Sequence, residues 1–168
     1  MDYEALKKEA YEKGVYYEAA FGGCTQAVLA TLMELFPEYR NGMVYKAATG
    51  LAAGAAQSGN ICGACSGGIL FIGLVAGRPM DNMADPDNIK LQTQKLCREL
   101  QAKFKEKYRT FICAGIQALN MGRHYRMYDD TDRQAFLDAG GHDSENCPSV
   151  VGNACVWTIE VLEGHGLI

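Results

Sequence analysis

MVYKAATGLAAGAAQSGNICGACSGGILFIGLVAG, residues 43–77, is the segment from which the fold of this chain is mainly predicted. Glycines recur throughout it among small and aliphatic residues, without the alternation of apolar and polar positions that indicates a strand. Small residues spaced four apart let helix backbones approach closely, as is best documented in membrane helices. We therefore predict a glycine-rich pair of buried helices, residues 43–56 and 62–76, joined by a turn at 57–60.

Outside this pair, the apolar residues recur at helical spacing. Pro37 ends one helical stretch, and Pro148 suits the first position of another, because proline is tolerated at a helix start. The sequence predicts an all-α fold, a compact helical bundle in a single domain over residues 1–168. The further helices are expected at 3–20, 24–36, 87–108, 110–120, 130–139 and 148–163.

Composition and charge exclude several classes of protein. The chain has 168 residues, a net charge of −4 and 48% hydrophobic residues, which is enough to build a core. No basic block is present, so nucleic-acid binding is not expected. The first residues lack the features of a secretory signal, and the longest apolar run, 69–76, is too short to cross a bilayer. We expect a cytoplasmic protein with no membrane partner, and a homodimer stays open.

The cysteine content is high for a cytoplasmic protein. The chain has seven cysteines, an odd number that cannot pair completely within one molecule. Stable disulfides are rare in the cytoplasm, where cysteine clusters more often bind metal or carry out chemistry. Thiol chemistry or metal binding is therefore the favoured interpretation.

Four cysteines are expected at helix starts: Cys24, Cys62, Cys113 and Cys147. Free N–H groups and positive potential at a helix N-terminus lower the pKa of a thiol and favour the thiolate, the form that binds metal and reacts. The simpler interpretation, that some or all are ordinary buried thiols, stays open because their spacings match no local ligand motif.

The remaining cysteines divide differently. Cys97 and Cys155 fall in mid-helix on apolar stripes and are interpreted as small buried hydrophobes. Cys65 forms a C-x-x-C pair with Cys62, a spacing that suits a dithiol–disulfide couple or two ligands of one metal. Since Ser66 and not histidine follows this pair, covalent c-type haem is not expected.

The segment GNICGACSGG, residues 59–68, resembles the C_GCAxxG_C_C family of redox-active proteins, which is related to the domain of split-Soret cytochrome c. Residues 23–28, GCTQAV, resemble the segment of the family's first cysteine, and the likeness extends over nearly the whole chain. Carried over, the four signature cysteines are Cys24, Cys62, Cys113 and Cys147. Thr25 and Cys65 depart from the family's usual pattern.

The resemblance implies a redox or electron-transfer role, with an iron–sulfur cluster, [2Fe–2S] or [4Fe–4S], held by the four signature cysteines. Gly63, Gly67 and Gly68 are expected to let backbone N–H groups lie near the sulfurs. Two alternatives stay open: a dithiol oxidoreductase with Cys62 and Cys65 as its catalytic residues, and a structural zinc protein. His142 could orient or ligate a metal, or be merely solvated. Neither the redox partner nor an enzymatic reaction follows from the sequence.

Overall fold

Helices make up the regular structure of the chain. The computed structural model describes residues 2–168, where it has α-helices, short 3₁₀ turns and no strand, so the all-α prediction is confirmed. The helices are α1 (Tyr3–Phe21), α2 (Cys24–Leu35), α3 (Gly42–Ala47), α4 (Gly63–Ala76), α5 (Ile89–Tyr108), α6 (Cys113–Met121), α7 (Asp130–Asp138) and α8 (Cys147–Gly164). Seven of them begin and end within three residues of a predicted helix, and α3 is treated below.

The first and last helices pack closely against each other. A Cβ added at Gly14 of α1 would lie 3.2 Å from the Cα of Gly152 in α8, so the two backbones touch where both residues lack side chains. Nearer the start of α1 and the end of α8, the Lys7 ammonium lies 2.9 Å from the Glu163 carboxylate. The two contacts show that α1 and α8 run antiparallel.

The core is built around α4. Its Phe71 and Ile72 are fully buried, together with Leu32 of α2, Leu100 of α5 and Ile159 of α8. Each such side chain stabilises the fold by about 1.5–3 kcal/mol relative to an exposed position. Although α4 is strongly apolar, no helix within the described residues is long and apolar enough to cross a membrane.

The prediction of the first helix of the glycine-rich pair is wrong. Residues 43–56 form α3, a 3₁₀ turn over Ala48–Leu51 and then an irregular turn, and most of them are not buried. The left-handed segment, residues 53–57, has φ of 53°, 85°, 60°, 48° and 63° in order. Alanine and glycine side chains offer little apolar surface. Burying them against the core therefore does not offset the conformational entropy that a second right-handed helix would lose here. The second predicted helix, 62–76, is confirmed as α4.

Backbone hydrogen bonds join the starts of α4 and α6. Ile61 and Ile112 form an isolated antiparallel bridge. The Cys62 N–H donates to the Phe111 carbonyl at 2.9 Å, and the Cys113 N–H donates to the Asn60 carbonyl at 2.6 Å. Two cysteines that are distant in sequence are thereby fixed side by side.

Candidate functional site

Four helix starts meet at one cavity of about 200 Å³. Cys24, Cys113 and Cys147 are the first residues of α2, α6 and α8, and Cys62 is the N-cap of α4. The structure thus confirms the predicted helix-start positions and brings all four thiols to the lining of the same cavity. All four are free thiols. Their role as ligands stays a prediction.

Glycines position the cysteine of α2. Gly22 and Gly23 precede Cys24 with φ of 67° and 79°, a region that glycine enters without steric cost. They turn the chain sharply from α1 into α2. A Cβ at Gly63 would collide with the Cys24 Sγ and would lie 2.7 Å from the Thr25 Oγ1. The missing side chain at Gly63 is therefore what allows the start of α4 to lie against Cys24.

The loop before α8 positions the fourth cysteine. The Cys147 N–H donates to the Gly141 carbonyl at 3.2 Å, and the Asn146 side-chain amide donates to the Gly140 carbonyl at 2.8 Å. Asn146 is the N-cap of α8, so the helix begins one residue before the predicted first position at Pro148. The loop is thus tied to itself just before the helix begins.

Burial governs the protonation of the four thiols. Burial is the main cause that raises the pKa of Cys113 to about 12, with further increases from the nearby Cys24 and Glu18. The pKa values of Cys24, Cys62 and Cys147 are also raised, first by burial. No lysine or arginine lines the cavity to oppose this effect. Burial therefore outweighs the lowering of the thiol pKa values that is expected at helix N-termini.

Backbone amides nevertheless favour the thiolates locally. Hydrogen bonds from the N–H groups of Ala53 and Thr25 lower the pKa of Cys24, and those from Ala64 and Cys65 lower the pKa of Cys62, in each case by less than burial raises it. The sulfurs of Cys24 and Cys62 therefore already have N–H donors directed at them. A bound cation would supply the positive charge that the cavity walls lack.

A buried carboxyl group and an imidazole also line the cavity. Glu18 is 4% exposed, and burial raises its pKa to about 8. Its Oε2 and the Nδ1 of His142 are buried without a hydrogen-bond partner, and Nδ1 lies 3.9 Å from the Glu18 Oε1. The His142 ring packs edge-on against Phe136, with 5.4 Å between the ring centroids. The structure thus places His142 at the cavity rather than in a merely solvated loop.

Sequence reasoning missed Glu18, although a signal was present. Ala10, Gly14 and Glu18 are spaced four residues apart on α1, and all three are buried. A charged residue that continues a stripe of small residues lies on the face that packs against other helices. Such a residue is a candidate for a functional site because burying it without an ion-pair partner destabilises the fold.

The other three cysteines lie elsewhere. Cys65 and Cys155 are fully buried and absent from the cavity lining, while Cys97 is partly exposed. Burial raises the pKa of Cys65 and of Cys155 to about 12. The interpretation of Cys155 as a small core hydrophobe is confirmed. The C-x-x-C pair is divided, since only Cys62 reaches the cavity.

Gly67 and Gly68 also differ from their expected place beside the sulfurs. Neither lines the cavity. A Cβ at Gly67 would lie 2.8 Å from the Thr25 carbonyl oxygen, and one at Gly68 would lie 2.5 Å from the Thr158 Oγ1. These glycines serve the close packing of α4 against α2 and α8.

The site is not arranged around a single ion. Among residues 2–168, no three His, Cys, Asp or Glu side chains lie close enough together to hold one metal ion. The four thiols instead line a cavity much larger than the roughly 10–15 Å³ that one water molecule requires. The cavity has room for an occupant of more than one atom.

Comparison with known proteins gives one finding. A family model described as Putative redox-active protein (C_GCAxxG_C_C) matches residues 23–161. The matched region contains all seven cysteines and begins just after α1. No curated protein and no solved structure matches the chain significantly.

Proposed function

Because the chain belongs to the C_GCAxxG_C_C family of redox-active proteins, we propose that its redox centre is an iron–sulfur cluster in the four-cysteine cavity. Cys24, Cys62, Cys113 and Cys147 would be the ligands of a [2Fe–2S] or [4Fe–4S] cluster. The observation that carries the proposal is that four helices each direct one cysteine from their first turn into the same cavity.

The donor set fits such a group. Four thiols can supply one ligand to each iron of a [4Fe–4S] cluster or two ligands to each iron of a [2Fe–2S] cluster, whereas a single ion needs its ligands close together. The raised pKa values of the thiols are compatible with the proposal, since the buried thiols would lose their protons only when a positively charged occupant binds. When bound, a cluster would accept and release single electrons.

The surrounding residues would then set the reduction potential. The N–H groups of Ala53, Ala64 and Cys65 donate hydrogen bonds to the sulfurs of Cys24 and Cys62. Such bonds favour the reduced, more negatively charged state of a centre, while burial opposes it. The mouth lies among the exposed and partly exposed lining residues, which include Gly22, Gly23, Gln57 and His142, and the buried Cys62 and Cys113 lie deeper.

The dithiol alternative has less support. Cys65 is fully buried outside the cavity, so a Cys62–Cys65 disulfide could meet a partner thiol only through Cys62, which is itself 7% exposed. Thiol–disulfide exchange requires access to the attacked sulfur. We therefore favour electron transfer through a cluster, with a soluble partner protein in the cytoplasm.

The test is metal and sulfide analysis of protein purified without oxygen. We expect stoichiometric iron and acid-labile sulfide, with visible absorption, in the wild type and in Cys97→Ser, whose cysteine lies outside the cavity. Cys24→Ser, Cys62→Ser, Cys113→Ser and Cys147→Ser should each lose most of the iron.

Two other results would redirect the proposal. Zinc without iron would favour the structural zinc protein. No metal after anaerobic reconstitution would contradict the cluster, and loss of thiol–disulfide exchange in Cys65→Ser would then identify the dithiol pair as the reactive group.

A further inference from the structure

Glu18 and His142 add polar groups to the cavity beyond its four thiols. We propose that they form a binding position for a small amine or ammonium ion, which would thereby lie next to the redox centre. The role of this ligand as a substrate rests on the proposed function, whereas its binding depends only on the cavity. The ligand class follows from three properties of the wall: its unpaired atoms, its charge and its size.

The unpaired atoms are the first property. The Glu18 Oε2 accepts no hydrogen bond although the residue is 4% exposed, and the His142 Nδ1 is buried and unpaired on the same cavity. A buried polar group without a partner destabilises the fold, so native structures rarely retain one without a reason. With its ring proton on Nε2, His142 presents Nδ1 as an acceptor. When Glu18 is ionised, both groups are acceptors, and a ligand that carries N–H groups could donate to both.

The distance between the two groups fits one bridging ligand atom. The Glu18 Oε1 and the His142 Nδ1 are 3.9 Å apart, too far for a direct hydrogen bond. A nitrogen between them could donate to both, because hydrogen bonds of about 2.8–3.0 Å to each are compatible with that separation. The edge-on contact with Phe136 holds the His142 ring in this orientation.

Charge selects the same class of ligand. The cavity lining contains Glu18 and four thiols but no lysine or arginine. An ionised Glu18 carboxylate makes the local potential negative, which attracts a cation and repels an anion. Phe136 and Met127 supply an aromatic and a polarizable wall, of the kind that accommodates small ammonium groups. A single metal ion is less suitable, because no three donor side chains within residues 2–168 converge on one point.

The size of the cavity limits the ligand to few atoms. A volume of about 200 Å³ has to accommodate both the redox centre and its ligand. Ammonium and methylammonium fit this limit, and longer amines should bind less well. The partly exposed ring of His142 and the neighbouring Gly22 place this position at the mouth, where a molecule can enter from solvent.

The experiment is calorimetric titration of the chain, purified without oxygen, with methylammonium chloride at about pH 9, where Glu18 with its pKa of about 8 is ionised. We expect saturable binding to the wild type and to Glu12→Gln, in which an exposed glutamate of the same helix is changed. Glu18→Gln should bind at least about tenfold more weakly, because a charge-assisted hydrogen bond is lost, and His142→Ala should also bind more weakly. Tetramethylammonium, a cation without N–H donors, should not bind.

A second measurement distinguishes loss of the binding site from misfolding of a variant. The chain has three histidines, His124, His142 and His165, so the imidazole ¹⁵N signals of the iron-free protein can be assigned by substitution. Methylammonium should shift the His142 signal and leave the other two unchanged. Absence of saturable binding to the wild type, or equal binding to Glu18→Gln, would overturn the inference.

Iron and sulfide measured on the same samples separate this inference from the proposed function. Iron retained without methylammonium binding would contradict the amine position alone. Methylammonium binding without any iron would contradict the cluster alone.

Discussion

The segments on either side of the turn at residues 58–61 have similar compositions and opposite backbone hands. Residues 53–57 are alanine, glycine and glutamine with positive φ, whereas α4, which begins GACSGG, is a right-handed helix. Ala53 of the first segment directs its backbone N–H at the Cys24 sulfur, and Ala64 and Cys65 of α4 direct theirs at the Cys62 sulfur. The difference lies in burial, because α4 carries Phe71 and Ile72 into the core. Composition alone therefore does not fix the hand of a small-residue segment.

The largest expected effect comes from the buried Glu18, whose ionisation is expected to destabilise the cavity wall. Burial raises the Glu18 pKa from 4.5 to about 8, so between these pH values the folded state holds a proton that the unfolded state lacks. Stability is then fully retained below pH 4.5 and falls as the pH rises to about 8. At about 1.4 kcal/mol per pH unit, we expect a decrease of up to about 4 kcal/mol.

Urea unfolding of the reduced, metal-free chain between pH 5 and pH 8 measures this decrease. Glu18→Gln should show a much flatter pH dependence, while the exposed control Glu12→Gln should follow the wild type. An unchanged slope in Glu18→Gln would mean that another group titrates. A gain from Glu18→Gln at pH 8 that disappears at pH 5 would assign the cost to the carboxylate.

The next largest effect separates two glycines within α4. A Cβ at Gly67 would lie 2.8 Å from the Thr25 carbonyl oxygen and from the Val28 Cβ, whereas a Cβ at Gly73 would meet nothing within 4 Å. We expect Gly67→Ala to lower the free energy of unfolding by about 1–3 kcal/mol through overpacking. Gly73→Ala should raise it by about 0.5–1 kcal/mol, because alanine is the better helix former. Destabilisation by both variants would contradict the packing described for α4.

The smallest effect tests the left-handed segment directly. Ala55 and Ala56 are exposed with φ of 60° and 48°, a conformation that costs alanine about 1–2 kcal/mol and glycine almost nothing. Ala55→Gly and Ala56→Gly should therefore each stabilise the fold by about 0.5–1 kcal/mol, after the larger entropy of unfolded glycine is subtracted.

The matched control is Ala102→Gly, at an exposed alanine of α5. The same substitution should cost about 1 kcal/mol there, because α5 is a right-handed helix. Changes in stability of opposite sign would support opposite backbone hands in the two segments, and changes of equal sign would contradict them. Thermal unfolding of the three variants beside the wild type is sufficient.

Helix boundaries and the positions of the four cavity cysteines follow from local patterns. Pro37 and Pro148 mark a helix end and a helix start that the structure retains, and the meeting of Cys24, Cys62, Cys113 and Cys147 at one cavity was expected from the family resemblance. The left-handed segment could not be predicted, because its conformation depends on what the rest of the chain leaves for it to bury. The surroundings of Glu18 could not be predicted either, because four other parts of the sequence contribute to the same cavity.

Because α1 and α8 are antiparallel neighbours, the helices could be connected in a different order along the chain. Lys7 meets Glu163 and Gly14 meets Gly152, so the beginning of the first helix lies beside the end of the last. A short peptide could close the chain into a ring, which could be reopened within residues 78–88, a largely exposed connection that holds no cavity residue. The four cysteines would then follow one another as Cys113, Cys147, Cys24 and Cys62 around an unchanged cavity. The site is thus defined by how its helices lie in space, and the order in which they are synthesised is not part of that definition.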